Sequence, residues 1–237
     1  MSERIAIGYD SDYFSLGVAA KIWWTVRECP HGLCYGASGS GKTYAVKLIL
    51  ARIGLNLPEA RVTVLDFKND FDFLSDSKNY YGFYKCNEGL KEFYTIFEAR
   101  LSGEDKSRTL RFLFIDELVA WLNSLEKKEA ENIKKQLGNI LMTGRSIGII
   151  LLCSVQRPDS SYFAGGAREN FGMVCGLGTL SRESLGMFFS DFKDEMQPCG
   201  RGEGYVLFNG AELKRIIVPT VKNEDKLNFY IRKALNG

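Results

Sequence analysis

The feature that most constrains this chain is a glycine-rich loop followed directly by a lysine and a threonine. Residues 36–43 read GASGSGKT and match the phosphate-binding loop, G-x-x-x-x-G-K followed by Ser or Thr. Glycines at this density let backbone N–H groups turn inward around phosphates, while Lys42 can reach the β- and γ-phosphates and the Thr43 hydroxyl can ligate Mg²⁺. The predicted nucleotide-binding residues are Gly36, Ala37, Ser38, Gly39, Ser40, Gly41, Lys42, Thr43 and Tyr44.

The residues on either side of this loop supply the strand and the helix that the motif requires. Residues 33–35 are apolar and predict a short strand, and apolar residues recur at helical spacing from position 46 to position 53. That helix is predicted to end at Gly54, which we interpret as its C-cap. The alternative, a Gly/Ser-rich connector that matches the motif by chance, leaves both flanks unexplained.

The length and charge of the chain are those of an ordinary globular domain. With 237 residues and a formal net charge of +2, the chain is predicted to form one domain, and its charge neither demands nor excludes nucleic acid as a partner. The longest apolar stretch, residues 147–155, is far shorter than the ~20 residues of a membrane span. Because the first residues also lack the pattern of a signal peptide, the protein is predicted to be cytoplasmic.

Strand patterns and helix patterns alternate along the chain. Continuously apolar strands are predicted at residues 112–116, 147–154 and 171–177, with helical patterns between them. This alternation predicts an α/β domain with a mostly parallel central sheet flanked by helices.

The C-terminal part of the chain carries a hairpin signal. Asn209-Gly210 lies between two apolar segments and predicts a β-hairpin, and a final helix is predicted from about Glu224. The expected divisions of this single domain, residues 1–237, are an N-terminal strand region (1–28), a nucleotide-binding core (29–180), and a helix, hairpin and terminal helix (181–237).

Two adjacent carboxylates, Asp116 and Glu117, close the most apolar strand of the chain. In phosphate-loop proteins an acidic residue at the end of such a strand holds Mg²⁺, and this role is predicted for Asp116. Glu117 is placed to orient and activate a water for attack on the γ-phosphate, so it is the predicted catalytic residue and hydrolysis is predicted as well as binding. The alternative is that Asp116 caps a helix and Glu117 complements the helix dipole.

Two further candidate residues flank the next apolar strand. Gln156 follows the strand, at the end where ligands bind in open α/β sheets, and is predicted to sense the γ-phosphate or to position the water. Arg145 precedes the strand, so it is expected at the opposite end of the sheet, where it could serve a neighbouring subunit's nucleotide in trans. A solvated loop glutamine and an exposed arginine at a helix end are the alternatives.

Taken together, these motifs resemble the FtsK/HerA class of P-loop ATPases. PHGLCYGASGSGKT resembles the phosphate loop of that class, FLFIDE its acidic strand, and GRSIGIILLCSVQRP a segment that carries an arginine and, at the strand end, the glutamine of a Gln-Arg-Pro. RGEGYVLFNG is similar to the late Gly-rich turn that leads into a hairpin. The four matches occur in family order and span residues 30–218.

The resemblance implies a RecA-like P-loop NTPase core that binds ATP and Mg²⁺ and is usually assembled as a hexameric ring around its substrate. It also implies hydrolysis of ATP coupled to translocation. By the same resemblance the residues and their roles are Lys42 and Thr43 (phosphate and Mg²⁺), Asp116 (metal), Glu117 (water), Gln156 (γ-phosphate) and Arg145 (action in trans).

Members of this class differ in what they move. FtsK-type members pump double-stranded DNA, coupling ATPases of type IV secretion move DNA–protein complexes, and type VII secretion ATPases move protein. A DNA-translocating ATPase is the first hypothesis, with Lys68, Arg157 and Arg168 as candidate DNA contacts. A protein-secreting ATPase is the second. The third is a nucleotide-dependent switch or adaptor with little turnover, which Glu117 disfavours because a switch has less need of a water-activating carboxylate.

The chain also departs from the full-length pattern of the class. It carries no membrane segments ahead of the motor and has no room after the hairpin for a winged-helix module. We expect either a minimal motor that works with separate membrane or secretion partners, which would recruit it to the membrane, or a fragment of a longer protein. Met1 and the apolar residues 5–7 favour a natural start.

Overall fold

The computed structural model describes residues 3–158, 162 and 166–236, without the side chains of residues 167 and 168. Its strands are β1 (Arg4–Asp10), β2 (Lys21–Thr25), β3 (Gly32–Tyr35), β4 (Arg61–Asp66), β5 (Tyr80–Gly82), β6 (Arg111–Asp116), β7 (Ile149–Val155), β8 (Met173–Leu177), β9 (Glu203–Phe208) and β10 (Glu212–Ile217). Its α-helices are α1 (Ser11–Ser15), α2 (Lys42–Asn56), α3 (Cys86–Ser102), α4 (Leu118–Asn123), α5 (Lys127–Thr143), α6 (Arg182–Phe188) and α7 (Glu224–Asn236). Within these ranges no helix is both long enough and apolar enough to cross a bilayer.

The strands form one sheet in the order β2-β1-β10-β9-β8-β3-β7-β6-β4-β5. The run from β8 to β5 is parallel, and the strands from β9 to β2 pair antiparallel at the other side. This order confirms the predicted α/β class with a mostly parallel sheet. It also places β7 between β3, which leads into the glycine-rich loop, and β6, which ends in the acidic pair.

Helices cover both faces of the sheet, with α2 and α7 in one core cluster and α3, α4 and α5 in the other. Strand β6 shows why its sequence is continuously apolar. Phe112 and Phe114 join the first cluster while Leu113 and Ile115 join the second, and all four side chains are fully buried. The continuously apolar strand predicted at residues 112–116 is therefore observed, and it is buried on both faces of the sheet.

The predicted end of α2 at Gly54 is wrong, because the helix continues to Asn56 and its C-cap is Leu57. Gly54 lies inside the helix, where it packs against α7. A Cβ atom at this position would lie 2.0 Å from the backbone oxygen of Tyr230. The glycine is therefore required by the close approach of two helices, and helical periodicity along one segment gives no sign of that contact.

The C-terminal hairpin and helix form as predicted. Asn209 and Gly210 have φ angles of 48° and 69°, the left-handed pair that a type I′ turn needs between β9 and β10. Two strands begin two residues later than predicted. Strand β8 begins at Met173, and β7 begins at Ile149 because the preceding residues form the 3-10 helix Gly144–Ile147. Gly148 separates the two elements with a φ of 74°.

Candidate nucleotide-binding site

The glycine-rich loop joins the carboxyl end of β3 to the first turn of α2 and lies against the segment that precedes β9. Gly41 has a φ of 96° at the start of the helix, and a Cβ atom there would lie 3.1 Å from the backbone nitrogen of Gly202. Gly36 is also packed tightly, since a Cβ atom would lie 2.6 Å from the backbone oxygen of Leu177. The spacing of the glycines in the motif therefore follows from backbone conformation and close packing.

The loop forms one wall of a cleft of about 340 Å³ at the carboxyl edge of the parallel strands. The predicted site residues that line it are Ala37, Ser38, Gly39, Gly41, Lys42, Thr43, Tyr44, Glu117 and Gln156. Gly36 and Ser40 are buried in the loop, and Asp116 is buried beneath the cleft. The sequence prediction omitted further lining residues, namely Lys47, Lys68, Asp70, Arg201 and Glu224.

Lys42 is buried, and its ammonium group contacts residues that belong to, or directly follow, two neighbouring strands. Its Nζ atom forms a salt bridge with Oε1 of Glu117, which follows β6, and donates a hydrogen bond of 3.1 Å to Oγ of Ser154 in β7. Because β7 lies between β3 and β6, Ser154 is within reach of the lysine. The sequence signal for Ser154 is a single hydroxyl in the otherwise apolar run IILLCSV.

Asp116 is fully buried, and neither oxygen of its carboxyl group has a hydrogen-bond partner among the described residues. Burial raises the pKa of Asp116 to about 7, and Glu117 and Asp66 reinforce the shift. Nearby Lys42 opposes it, as does the Ser154 side chain, which lies close to the carboxyl group without a well-formed hydrogen bond to it. An unpartnered carboxylate beneath a phosphate loop fits Mg²⁺, which prefers oxygen ligands, and half-buried Thr43, which lines the cleft, carries the second predicted ligand hydroxyl. The residues present therefore fit the predicted metal.

The side chain of Glu117 does not cap a helix. Glu117 occupies the N-cap position of α4 with a left-handed φ of 51°, and its side chain makes no capping hydrogen bond. It reaches instead toward two lysines, Lys42 and Lys68, and the second ammonium lies 3.4 Å from Oε2. Since the Asp116 oxygens are also unpartnered, neither carboxylate makes a helix-capping hydrogen bond among the described residues, although the charge of Glu117 lies at the N-terminus of α4, where it complements the helix dipole.

Tyr44 and Arg201 connect the cleft to the C-terminal part of the chain. The hydroxyl of Tyr44 accepts a hydrogen bond from the backbone N–H of Val221, three residues before α7. Arg201 is exposed at the cleft, and the next residue, Gly202, donates its N–H to the backbone oxygen of Ser40 at 2.8 Å. The RGEG segment therefore contributes to the nucleotide cleft in addition to preceding the hairpin.

Arg145 lies at the opposite edge of the sheet, in the 3-10 helix Gly144–Ile147. It is exposed and lines a surface cavity with Leu101 and Met142, away from its own cleft. Gln156, at the other end of β7, lines the cleft. The structure thus separates the two residues as expected from their positions around one strand, and their roles stay predictions.

The structure describes the side chains of two of the three candidate DNA contacts. Lys68 lines the nucleotide cleft, where it pairs with Glu117, so its position favours a role at the nucleotide. Arg157 is exposed directly after Gln156. The side chain of Arg168 lies outside the described part of the structure.

These features define a P-loop nucleoside triphosphatase domain. They are the glycine-rich loop, the buried lysine and the acidic pair at the ends of parallel strands. Residues 32–164, more than half of the chain, match the family described as "ATPase family associated with various cellular activities (AAA)". The chain belongs to the AAA family and is an ATPase domain, as predicted.

One curated protein is similar over almost the whole chain. The chain is 29% identical over 241 residues to the FtsK domain-containing protein YdcQ of Bacillus subtilis, covering 94% of the chain and 50% of that protein. It therefore spans about half the length of this curated relative. The resemblance to FtsK-type proteins noted in the sequence is confirmed by this match.

Solved structures show the same fold at lower sequence identity. The cytoplasmic domain of the type VII secretion ATPase EccC of Thermomonospora curvata matches with a TM-score of 0.72 at 21% identity, over 100% of this chain and 31% of that one. The pCW3 conjugation coupling protein TcpA with ATPγS matches with a TM-score of 0.75 at 19% identity, over 98% of this chain and 70% of that one. The predicted RecA-like P-loop fold is thereby confirmed.

Proposed function

We propose that this domain is the ATP-hydrolysing motor of a double-stranded DNA translocase of the FtsK type, acting in conjugative transfer or chromosome segregation. The observation that carries the proposal is the grouping of Lys42, Asp116 and Glu117 beneath a phosphate loop, in a chain whose curated relative has an FtsK domain. The likeness to a conjugation coupling protein also supports it. Action in the cytoplasm, with recruitment to a membrane by separate partners, belongs to the same proposal.

Each residue of the cleft has a task in the proposed reaction. The loop N–H groups and Lys42 hold the phosphates of ATP, and Gln156 senses the γ-phosphate from the end of β7. Thr43 and Asp116 would hold Mg²⁺, which when bound would supply positive charge beside the phosphates. Glu117 orients and activates the attacking water.

The proposed assembly is a homo-oligomeric ring, hexameric as in the resembling class, in which Arg145 completes the neighbouring subunit's site. Leu101 and Met142 beside Arg145 expose 53% and 58% of their surfaces, and an interface between copies would cover such apolar side chains. Hydrolysis would then change the contacts between subunits and move loops along DNA. Arg157, which is exposed directly after Gln156, is the proposed DNA contact.

A protein-secreting ATPase is the second candidate function. It is favoured by the likeness to EccC, a type VII secretion ATPase whose cytoplasmic domain matches over 100% of this chain. A protein-moving ATPase would be stimulated little by DNA and would offer an apolar groove to a helical signal.

Steady-state ATP hydrolysis with and without long double-stranded DNA tests the proposal, at salt concentrations upward from about 50 mM. We expect strong stimulation by DNA, a decline as salt rises because the protein contacts phosphates, and loss of hydrolysis in Glu117→Gln. Glu126→Gln is the matched control, since it makes the same charge change at an exposed residue before α5.

The other outcomes separate the candidates. Hydrolysis that requires Glu117 but is indifferent to DNA at every salt concentration would contradict DNA translocation and favour protein cargo. Tight ATP binding without hydrolysis, in assembled rings supplied with DNA, would contradict both motors and leave a nucleotide-dependent switch.

A further inference from the structure

Glu117 is contacted by two lysines, and only one of them belongs to the phosphate loop. Its Oε1 atom pairs with Lys42, and its Oε2 atom lies 3.4 Å from Nζ of Lys68. Each carboxylate oxygen therefore has its own cation. The second cation comes from the loop after β4, to which the P-loop motif assigns no catalytic residue.

The sheet register brings Lys68 to this position. Strands β4 and β6 are parallel neighbours, and Asp66 pairs with Asp116 at their last residues. Lys68 follows Asp66 by two residues and Glu117 follows Asp116 by one. Both residues therefore lie just beyond the paired ends of adjacent strands, at the same edge of the sheet. Strand pairing, rather than proximity in sequence, thus sets the distance between the lysine and the glutamate.

The loop that carries Lys68 is anchored by buried hydrogen bonds. The carboxylate of Asp66 is fully buried and accepts hydrogen bonds from the backbone N–H groups of Asp70 at 3.0 Å and Phe71 at 2.8 Å. It also accepts one from the hydroxyl of Tyr80 at 2.8 Å. These hydrogen bonds hold the backbone of residues 67–70 in one conformation. The position from which the Lys68 side chain extends is therefore fixed.

Nucleotide binding is expected to affect the salt bridges of the two lysines to Glu117 differently. A phosphate in the loop competes with Glu117 for the ammonium of Lys42, because the P-loop lysine reaches the β- and γ-phosphates. Lys68 is then the cation that still holds the glutamate. Glu117 is 5% exposed, so solvent offers little replacement for a lost partner.

We propose that Lys68 is a positioning residue for ATP hydrolysis: it holds Oε2 of Glu117 and keeps the carboxylate directed into the cleft while Lys42 binds phosphate. The inference rests on the proposed role of Glu117 in orienting water. Lys68 is exposed, and without it the buried Glu117 keeps its salt bridge to Lys42 in the absence of nucleotide, so the effect of Lys68 is expected in turnover rather than in folding.

The test compares Lys68→Met with Lys68→Arg and with Lys85→Met, a control at an exposed lysine on the same side of the sheet. We expect Lys68→Met to lower kcat roughly ten- to a hundredfold, because a misplaced catalytic group loses rate steeply. The KM for ATP, the affinity for a non-hydrolysable ATP analogue and the melting temperature stay unchanged. Lys68→Arg restores most of kcat, and Lys85→Met behaves as wild type.

A double variant shows whether Lys68 acts through Glu117. In single-turnover assays with enzyme in excess, Lys68→Met combined with Glu117→Gln is expected to be no slower than Glu117→Gln alone. An additional loss of rate would overturn the inference. A raised KM with unchanged kcat would also overturn it, because Lys68 would then be a phosphate ligand.

Two results distinguish failure of this inference from failure of the proposed function. If Glu117→Gln hydrolyses ATP as wild type does, the proposed role of Glu117 fails and the inference fails with it. If Glu117→Gln is inactive while Lys68→Met keeps or exceeds the wild-type kcat, only the role of Lys68 is wrong.

Discussion

Two buried basic side chains lie at opposite ends of the same parallel strands, and they differ in how completely they are paired. Arg100, near the amino ends, is 1% exposed, and all three guanidinium nitrogens donate hydrogen bonds, to a carboxylate, two hydroxyls and the backbone oxygens of Thr109 and Ile147. Lys42, at the carboxyl ends, is 6% exposed and contacts only the side chains of Glu117 and Ser154.

This difference separates a structural cation from a functional one. The partners of Arg100 include the backbone oxygens of residues just before β6 and β7. The guanidinium therefore holds the backbone in place where those two strands begin. The partners of Lys42 are side chains that can exchange it for a phosphate. Next to it, Asp116 is buried without a hydrogen-bond partner among the described residues, the kind of unpaired polar group that marks a ligand site.

Removing the lysine ammonium should have the largest effect on activity. Lys42→Ala is expected to lower kcat/KM for ATP about 10³-fold, because a preorganised charge at the phosphates is lost. Its melting temperature should fall less than that of an Arg100 variant. Steady-state kinetics and thermal unfolding measure these two quantities. Near-normal hydrolysis in Lys42→Ala would contradict the assignment of Lys42 as the functional cation.

Removing the arginine should act on stability instead. Arg100→Met is expected to lower the free energy of unfolding by about 3 kcal/mol, because the backbone oxygens of Thr109 and Ile147 lose their buried donor. Denaturant unfolding measures the loss, with exposed Arg108→Met as a control expected to change it by less than about 0.5 kcal/mol. Hydrolysis per folded molecule should be kept, and a catalytic defect without destabilisation would break the comparison.

The buried carboxyl group gives the carboxyl edge a distinctive pH dependence. Burial raises the pKa of Asp116 from 3.8 to about 7, so the stability of its neutral form is complete below the lower value and is lost as pH rises through the upper one. Without Mg²⁺, Asp116→Asn should gain on the order of 2 kcal/mol relative to wild type between about pH 4 and pH 8. Urea unfolding at both pH values tests this, and an equal difference at both would contradict it.

His31, before β3, should give the opposite and smallest dependence. Its Nδ1 accepts the backbone N–H of Leu151 at 3.0 Å, and burial lowers its pKa from 6.5 to about 4. Stability from the neutral ring is therefore present above pH 6.5 and is lost as the pH falls toward 4.

A variant that cannot titrate isolates the His31 contribution. His31→Asn suits the backbone φ of 57°, which Asn tolerates. It should lose less stability than wild type between about pH 7 and pH 4.5, by on the order of 1 kcal/mol. Denaturant unfolding across that range tests the expectation, and parallel curves for the two proteins would show that His31 does not titrate there.

Local motifs predicted much of the fold because their signals are contained in short segments. The phosphate loop requires only its glycines, and the hairpin requires only Asn209-Gly210. Lys68 and Ser154 were not predicted as nucleotide-site residues because their positions depend on the strand order β3-β7-β6-β4. That order cannot be read from any single segment of the sequence. Gly54 was misread for the same reason, since its partner is a helix that begins about 170 residues later.

The most direct test of the account is the melting temperature of wild type and Asp116→Asn with a non-hydrolysable ATP analogue, each with and without Mg²⁺. Ligand binding to the folded state raises the melting temperature, so the metal's share of binding is the extra rise that Mg²⁺ produces. We predict a clear extra rise for wild type and none for Asp116→Asn. The same extra rise in both proteins would show that the unpaired carboxyl group is not the metal ligand, and would contradict the account of the carboxyl edge.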